Sequence, residues 1–286
     1  HKVERQMIRI GPSGNSDAFY ASGRKHTYEE AEYLHALGLN AFEYSFGRGV
    51  SMTDATAEKI KTEFQKYDIA ISAHAPYYTN FSNPDPEMIK KSVGYVMQAA
   101  EACRKMGGTR VVVHPAACGK AARKDAVAAA ESNLMLLAEA ADALDDGAKI
   151  CLETMGKTNQ IGTVEEVVGF CTLYRKFYPC FDFGHINAYS HGGLKTKDDY
   201  RRILDHTIDR LGFDKASLMH VHFSKIQYGD KGEIKHLTFA DEKYGPEYAP
   251  LAELFDEYKM SPYIVCESDG TMSDDALAMK KMHKNA

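Results

Sequence analysis

The stretch CLETMG (151–156) carries the pattern that decides the fold, an apolar run that ends on an acidic residue, Glu153. Five other short apolar segments end on His, Asp or Glu in the same way. They read ISAHAP (71–76), VVVHPA (111–116), CFDFGH (180–185), LMHVHF (218–223) and YIVCES (263–268). Because the carboxyl ends of parallel barrel strands meet at one face, such segments bring their last side chains together. The pattern therefore predicts a shared polar site as well as a barrel.

Strand-like and helix-like segments alternate along the whole chain. Residues 8–10 and 41–44 supply two further strands, and eight alternations favour a closed parallel barrel. The length of 286 residues suits the roughly 250 that are typical of this fold. An open doubly wound sheet is the alternative, but GPSGN (11–15) is not the glycine-rich phosphate turn expected there. We predict an α/β protein, a single (β/α)₈ TIM barrel over residues 1–286, with a metal site at the C-terminal ends of its strands.

Composition narrows the class of protein. No apolar run approaches the ~20 residues that span a bilayer, so no membrane partner is expected. The 6 cysteines show no CxxC spacing, which favours free thiols and a reducing, cytoplasmic location. The net charge of −5 provides no basic field for nucleic acid, although bound cations would offset it. Residues 1–6 are polar, unlike a signal peptide, and are compatible with a cloning remnant.

The residues at the strand ends are imidazoles and carboxylates, the ligands that bind Zn²⁺, Mn²⁺ and Fe²⁺. A single histidine at a strand end is more often a hydrogen-bonded structural residue, but a set of them converging on one mouth favours a metal centre. The candidate ligands are His74, His114, Glu153, Asp182, His185, His220, His222 and Glu267. Asn15, Asp17 and Glu43, near strands one and two, are open between substrate contacts and simple loop caps.

These motifs resemble the endonuclease IV family of apurinic/apyrimidinic endonucleases, within the xylose-isomerase-like barrels. The resemblance covers essentially the whole chain and is strongest from His74 to Glu267. It is carried by HAPYYTNF (74–81), by His114-Pro115 with Ala in place of the family's glycine, by D-x-x-H (182–185), and by MHVHF (219–223) where the family has M-H-L-N-D. The resemblance implies a barrel enzyme that holds up to three metal ions.

The resemblance implies two overlapping ligand sets and a third. The first set would be His74, His114 and Glu153, and the second would be Glu153, Asp182, His220 and Glu267. Glu153 would bridge the two ions. The expected cofactor is two or three Zn²⁺, with Mn²⁺ or Fe²⁺ as alternatives.

The third set departs from the family pattern. It would use His185, His236 and a carboxylate that the family supplies as D-x-H, but this chain has Ile234 in that place. Two replacements remain open: Glu233, after a small loop shift, and His222, which lies one pleat beyond His220 on the same side of its strand. His222 is slightly favoured because it needs no rearrangement of the loop.

By the resemblance, the chain would be a zinc-dependent phosphodiesterase, a monomer, that cleaves damaged double-stranded DNA at abasic sites in base excision repair. Glu153 would orient the attacking water. Tyr77 and Tyr78 would stack on a base or wedge into the helix, although one of them packing under its own loop is the simpler alternative. Seven cations lie on loops expected around the mouth and are candidate phosphate contacts: Arg48, Lys120, Lys157, Lys195, Lys225, Lys231 and Lys235.

A sugar isomerase or epimerase with one divalent metal is the main alternative. Its site would need only Glu153, Asp182, His220 and Glu267. The surplus histidines argue against it, whereas the altered third set, the lost glycine, Phe223 in place of Asp and the acidic net charge argue for it. A barrel that binds a metal or ligand without catalysis is the least favoured interpretation. Metal content separates the first two, since three ions indicate the nuclease and one ion indicates the isomerase.

Overall fold

Eight parallel strands form the centre of the computed structural model, which describes residues 6–284. They are β1 (Arg9–Pro12), β2 (Ala41–Ser45), β3 (Ala70–His74), β4 (Arg110–Val113), β5 (Lys149–Glu153), β6 (Phe177–Asp182), β7 (His220–Phe223) and β8 (Tyr263–Cys266). Neighbours in sequence are neighbours in the sheet, and β1 pairs with β8. The predicted α/β TIM barrel is therefore confirmed. The interpretation of residues 1–6 falls almost entirely outside the described residues.

The barrel closes between β1 and β2 at one parallel bridge, Ser13–Glu43. Two backbone hydrogen bonds support this join: the Gly14 N–H donates to the Glu43 carbonyl at 3.0 Å, and the Asn40 N–H donates to the Ile10 carbonyl at 3.2 Å. Gly11 permits the close approach, because a Cβ at this position would lie 1.5 Å from the Ala41 carbonyl oxygen. A larger residue would force these two strands apart.

Helices cover the outside of the sheet. They are α1 (Asp17–Ala21), α2 (Glu30–Leu37), α3 (Asp54–Lys66), α4 (Pro86–Lys105), α5 (Arg123–Ala141), α6 (Val164–Cys171), α7 (Phe183–Tyr189), α8 (Lys197–Leu211), α9 (Phe213–Ser217), α10 (Ala249–Tyr258) and α11 (Met272–Lys281), with a 3₁₀ turn at Thr27–Glu29. A capping box between Thr163 and Glu166 begins α6. Within residues 6–284, no helix has both the length and the apolar character required to cross a bilayer.

Two small antiparallel ribbons were not predicted from the sequence. One pairs Ile226–Gly229 with Gly232–His236, directly after β7. The other pairs Ala116–Ala117 with Gln160–Ile161, and so joins the segments that follow β4 and β5. Both follow the carboxyl ends of barrel strands, where the candidate ligands gather. The first ribbon, residues 226–236, is called the ligand hairpin.

Candidate metal centre

Strand alternation places the ligands at the mouth. Along β5, Ile150 and Leu152 belong to the large core shared with the helices, whereas Cys151 packs with Val112 and Cys180 in a separate small cluster. Because side chains alternate between the two faces of a strand, Glu153 shares the face of Cys151. It stands at the end of the strand and is 1% exposed. A carboxylate so deeply buried requires partners of opposite charge or a cation.

Glu153 joins two sets of histidines through its two oxygens. Oε1 lies 3.1 Å from Nε2 of His74 and 3.1 Å from Nε2 of His114. Oε2 lies 3.2 Å from Nδ1 of His222 and 3.4 Å from Nδ1 of His185. One oxygen therefore faces the first set while the other faces a second. This is the arrangement that a carboxylate shared between two cations requires.

The second group differs from the expectation in one residue. Its members, Glu153, Asp182, His222 and Glu267, offer ligand atoms that all lie within 4.8 Å of one another. His222 Nδ1 lies 3.1 Å from Glu267 Oε1, so His222 takes the place that the resemblance assigned to His220. The sheet register is the cause, because His222 pairs with Asp182, whereas His220 pairs with Cys180, one step deeper in the barrel.

His220 has a different environment. It is fully buried, and its Nε2 lies 2.7 Å from Glu43 Oε1. Burial is the main reason that the pKa of His220 is lowered to about 4, so this ring is neutral at pH 7. His220, His222 and Cys180 also have atoms within 4.8 Å of one another and are each 0% exposed, but His220 and Cys180 lie one step deeper in the barrel than His222 and Asp182. His220 therefore lies behind the candidate ligands and does not face the mouth.

The third group consists of His185, Glu233 and His236. His185 Nε2 lies 2.8 Å from Glu233 Oε2, and Gly156 leaves room for this carboxylate, since a Cβ there would lie 2.8 Å from the same oxygen. The placement of His222 in this group, which the sequence slightly favoured, does not agree with the structure. Nδ1 of His222 faces the second group and its Nε2 is 2.6 Å from Glu43. Glu233 is the carboxylate beside His185.

A bulge in the ligand hairpin brings Glu233 and His236 to the same face of the ribbon. Tyr228 pairs with Glu233 and Gln227 pairs with Lys235, so Ile234 has no partner in the ribbon. In a regular strand, residues three apart point to opposite faces. The extra residue shifts the alternation by one, which returns Glu233 and His236 to the same face. Ile234 itself is 56% exposed, as expected for the unpaired residue.

Backbone and side-chain acceptors orient the histidines. Nδ1 of His74 donates to the Ala75 carbonyl at 2.7 Å, Nδ1 of His185 to the Thr154 carbonyl at 2.8 Å, and Nδ1 of His114 to the Tyr77 carbonyl at 3.2 Å. A carbonyl only accepts, so Nδ1 of each of these three rings carries a hydrogen, and the neutral form of each ring keeps its lone pair on Nε2. His236 Nδ1 bonds to Ser224 Oγ at 2.7 Å. Each of these rings therefore leaves Nε2 free for its group, the arrangement typical of metal-binding histidines.

The carboxylates are crowded in a way that a cation would relieve. Burial, together with the charges of Glu267 and Glu153, raises the pKa of Asp182 well above its ordinary value. Burial opposes ionisation of Glu267, yet His222 lowers the pKa of that carboxyl to about 2. Asp182 Oδ1 accepts the His185 N–H at 2.8 Å, while Oδ2 is buried with no hydrogen-bond partner among residues 6–284. Imidazoles and carboxylates around unpartnered acceptors fit a divalent cation such as Zn²⁺.

Tyr77 and Tyr78 are half-exposed at the same mouth, at 51% and 53%. The Tyr77 ring stacks on His114 with 5.6 Å between centroids, and its hydroxyl lies 3.1 Å from Ser45 Oγ. Gly47 lies beneath that ring, because a Cβ there would meet it at 2.1 Å. The Tyr78 ring packs edge-on against Tyr95. Neither ring is covered by its own loop, so both present a surface to a ligand.

One of the seven candidate phosphate contacts is wrong. Lys225 is buried, donates to the carbonyls of Phe239 and Asp241, and pairs with Glu247 at 3.2 Å. Its role is to hold the segment after the ligand hairpin. The other six are at least partly exposed: Arg48, Lys120, Lys157, Lys195, Lys231 and Lys235.

A family model for the xylose isomerase-like TIM barrel matches residues 31–282, and the chain belongs to this family. An uncharacterized protein of Methanocaldococcus jannaschii is 30% identical over 253 residues, which cover 88% of this chain and 90% of that protein. A probable endonuclease 4 of Staphylococcus carnosus is 26% identical over 223 residues, which cover 73% of this chain and 72% of the relative. The predicted resemblance to the endonuclease IV family is confirmed.

The fold of this chain matches solved structures of two kinds of enzyme. Endonuclease IV from Thermus thermophilus superposes with a TM-score of 0.67 at 20% identity, over 91% of this chain and 94% of that one. A D-tagatose 3-epimerase-like protein gives the same TM-score of 0.67 at 18% identity, over 96% of this chain and 95% of that one. These likenesses concern the fold alone. The side chains at the mouth must separate the two chemistries.

Proposed function

We propose that this protein is a metal-dependent phosphodiesterase of the endonuclease IV type that cleaves DNA at abasic sites. The observation that carries the proposal is the position of Glu153, whose two oxygens face two different histidine sets at 3.1–3.4 Å. A third group, His185 with Glu233 and His236, adjoins them. Three adjoining ligand groups are suited to spreading positive charge over a phosphodiester, which carries negative charge on several oxygens.

The sugar alternative accounts for only part of this centre. Glu153, Asp182, His222 and Glu267 form a complete four-residue set for one ion, which is the observation that favours an epimerase. One ion leaves the oriented rings of His74, His114 and His236 without a chemical role. Each of these histidines has one nitrogen held by the protein and the other free for its group. Their joint orientation supports the phosphodiesterase over the epimerase.

The residues around the mouth have separate roles in the proposed reaction. When bound, divalent ions supply Lewis-acid stabilisation of the charge that develops on a phosphate. Glu153, almost fully buried, orients the attacking water beside the two histidine sets. Tyr77 and Tyr78 stack on bases that flank the lesion. Arg48, Lys120 and Lys157, which are exposed, contact the phosphates of the duplex.

Metal content and incision together test the proposal. The purified protein is expected to hold two or three zinc ions per chain and to incise a duplex that contains one abasic analogue, while leaving the matched intact duplex uncut. Removal of metal with a chelator should abolish incision, and zinc should restore it. One ion per chain together with interconversion of ketohexose epimers would replace the nuclease with the sugar enzyme. The same preparation reports the oligomeric state, for which we propose a monomer.

A further inference from the structure

Glu43, on β2, is a buried carboxylate that the proposed reaction does not use. It is 1% exposed and lies beneath the mouth. Its Oε2 lies 2.6 Å from Nε2 of His222, and its Oε1 lies 2.7 Å from Nε2 of His220. The sequence left this residue between a substrate contact and a loop cap. The structure gives it neither role, because its oxygens point into the barrel interior toward two histidines.

We propose that Glu43 is a positioning residue that fixes the ring of His222 for the second metal position. An ionised carboxylate only accepts, so Nε2 of a neutral His222 must carry the hydrogen and Nδ1 must keep its lone pair. Nδ1 is the atom that faces Glu153 at 3.2 Å and Glu267 at 3.1 Å. The inference rests on the proposed metal centre and adds to it the residue that selects which nitrogen of His222 binds.

Glu43 is itself held in place by other donors. The Ser72 hydroxyl donates to Oε1 at 2.8 Å, and His220 contacts the same oxygen. The His220 ring is stacked on Tyr263, with 4.9 Å between centroids and 14° between planes. Tyr263 in turn donates its hydroxyl to the Phe42 carbonyl at 2.9 Å, next to Glu43 in β2. These contacts hold the carboxylate in one orientation. The carboxylate in turn orients the ring of His222.

His222 also differs from the other histidines in the charge of its anchor. His74, His114 and His185 donate to neutral carbonyls, whereas Nε2 of His222 lies 2.6 Å from a carboxylate oxygen. A negative acceptor makes the imidazole a stronger base and therefore a stronger ligand. Among these four histidines, His222 is the one whose Nε2 lies beside its anchor and whose Nδ1 faces its ligand group. Loss of Glu43 should therefore act on the second position and leave the first and third positions unchanged.

Zinc affinity measured by chelator competition tests this inference on the full chain. For Glu43→Ala, one ion should bind about 10- to 100-fold more weakly, the range found when such anchoring partners are removed. Glu43→Gln keeps the shape and one acceptor oxygen but loses the charge, so about a 10-fold loss is expected. Glu58→Gln is the matched control, since it removes the charge of an exposed carboxylate on α3, outside the ligand groups. It should change every affinity by less than about threefold.

A second readout separates positioning from a structural role. Nitrogen NMR of histidine rings in the zinc-loaded parent should show His222 with hydrogen on Nε2. Hydrogen on Nδ1, equal weakening of all ions in Glu43→Gln, or parent-like zinc affinity in both Glu43 variants would overturn the inference. If the parent binds no zinc at all, the proposed metal centre fails as a whole. If the parent binds zinc and the variants bind it equally well, only the role of Glu43 fails.

Discussion

The first and third ligand groups are built in different ways. His74, His114 and Glu153 stand at the ends of three neighbouring strands, or one residue beyond, and each of these strands is paired on both sides. His185 lies on the short helix α7, and Glu233 and His236 lie on the ligand hairpin. The first group therefore depends on the barrel itself. The third depends on a ribbon that must dock against the mouth in the correct register.

This difference teaches where a metal centre tolerates change. A strand-end ligand cannot move without breaking ladder hydrogen bonds, so its spacing in sequence is fixed. A hairpin ligand can absorb an inserted residue by forming a bulge, as Ile234 does between Glu233 and Lys235. The departure from D-x-H in this chain is then a change of spacing that the bulge corrects. It does not require the loss of the third group.

The largest effect is expected for substitution of Glu153. One of its oxygens contacts the first group, and the other contacts His185 of the third group. Glu153→Ala should lose more than one ion per chain and lower incision of an abasic duplex by at least about 10³-fold, because Lewis-acid stabilisation at two positions contributes several kcal/mol each. Metal analysis and a gel-based incision assay measure both. Glu165→Ala, a glutamate on α6 outside the ligand groups, is the control. Full metal content in Glu153→Ala would show that this carboxylate does not bridge.

Glu233→Ala should remove one ion and leave the first and second groups loaded, because His185 and His236 alone hold Zn²⁺ weakly. Zinc content should fall by one ion per chain. Glu242, which lies outside the ligand groups, offers a matched control, since Glu242→Ala should keep all ions. Unchanged metal content in Glu233→Ala would return His222 to consideration as the third ligand and weaken the contrast between the two groups.

Substitution of Tyr77 and Tyr78 tests the mouth without removing a candidate ligand. Replacing both with Ala should weaken binding to an abasic duplex by roughly 1–3 kcal/mol for each lost stack. Metal content should be unchanged, because the Tyr77 backbone carbonyl, which accepts the hydrogen bond of His114, is kept when the stacked ring is removed. Leu136→Ala, at an exposed position on α5, provides the comparison. Equal affinity of the double variant and the parent would leave these rings without a DNA role and strengthen the sugar alternative.

The smallest effect is expected from deleting Ile234. The deletion leaves Glu-Lys-His, in which the first and third residues share a face of a regular strand without any bulge. The affinity of the third ion should therefore change by less than about 10-fold, as measured by chelator competition. Ile234→Ala keeps the bulge and should resemble the parent. A deletion variant that loses the third ion while Ile234→Ala retains it would show that the bulge does more than correct the alternation.

The strand-end residues could be predicted from sequence because apolar strands that stop on His, Asp or Glu reveal both fold and site. The choice between His220 and His222 could not be predicted in the same way. Both lie on one face of β7, and only the stagger of neighbouring strands decides that His222 is level with Asp182. The role of Glu43 could not be predicted either, since its histidine partners lie on β7, which is distant in sequence. The hairpin register depends on a bulge that has no strong signal in GEIKH (232–236).

The position of Glu43 also bears on how the chain folds. Its contact with His220 joins residues 177 positions apart, and β8, the strand that pairs with β1, comes later still. Contacts of such long sequence separation form late, because the loop they close must first lose its conformational entropy. Until β7 arrives, the Glu43 carboxylate has no histidine partners and remains costly to bury. We therefore expect closure of the barrel and completion of the second ligand group to occur together.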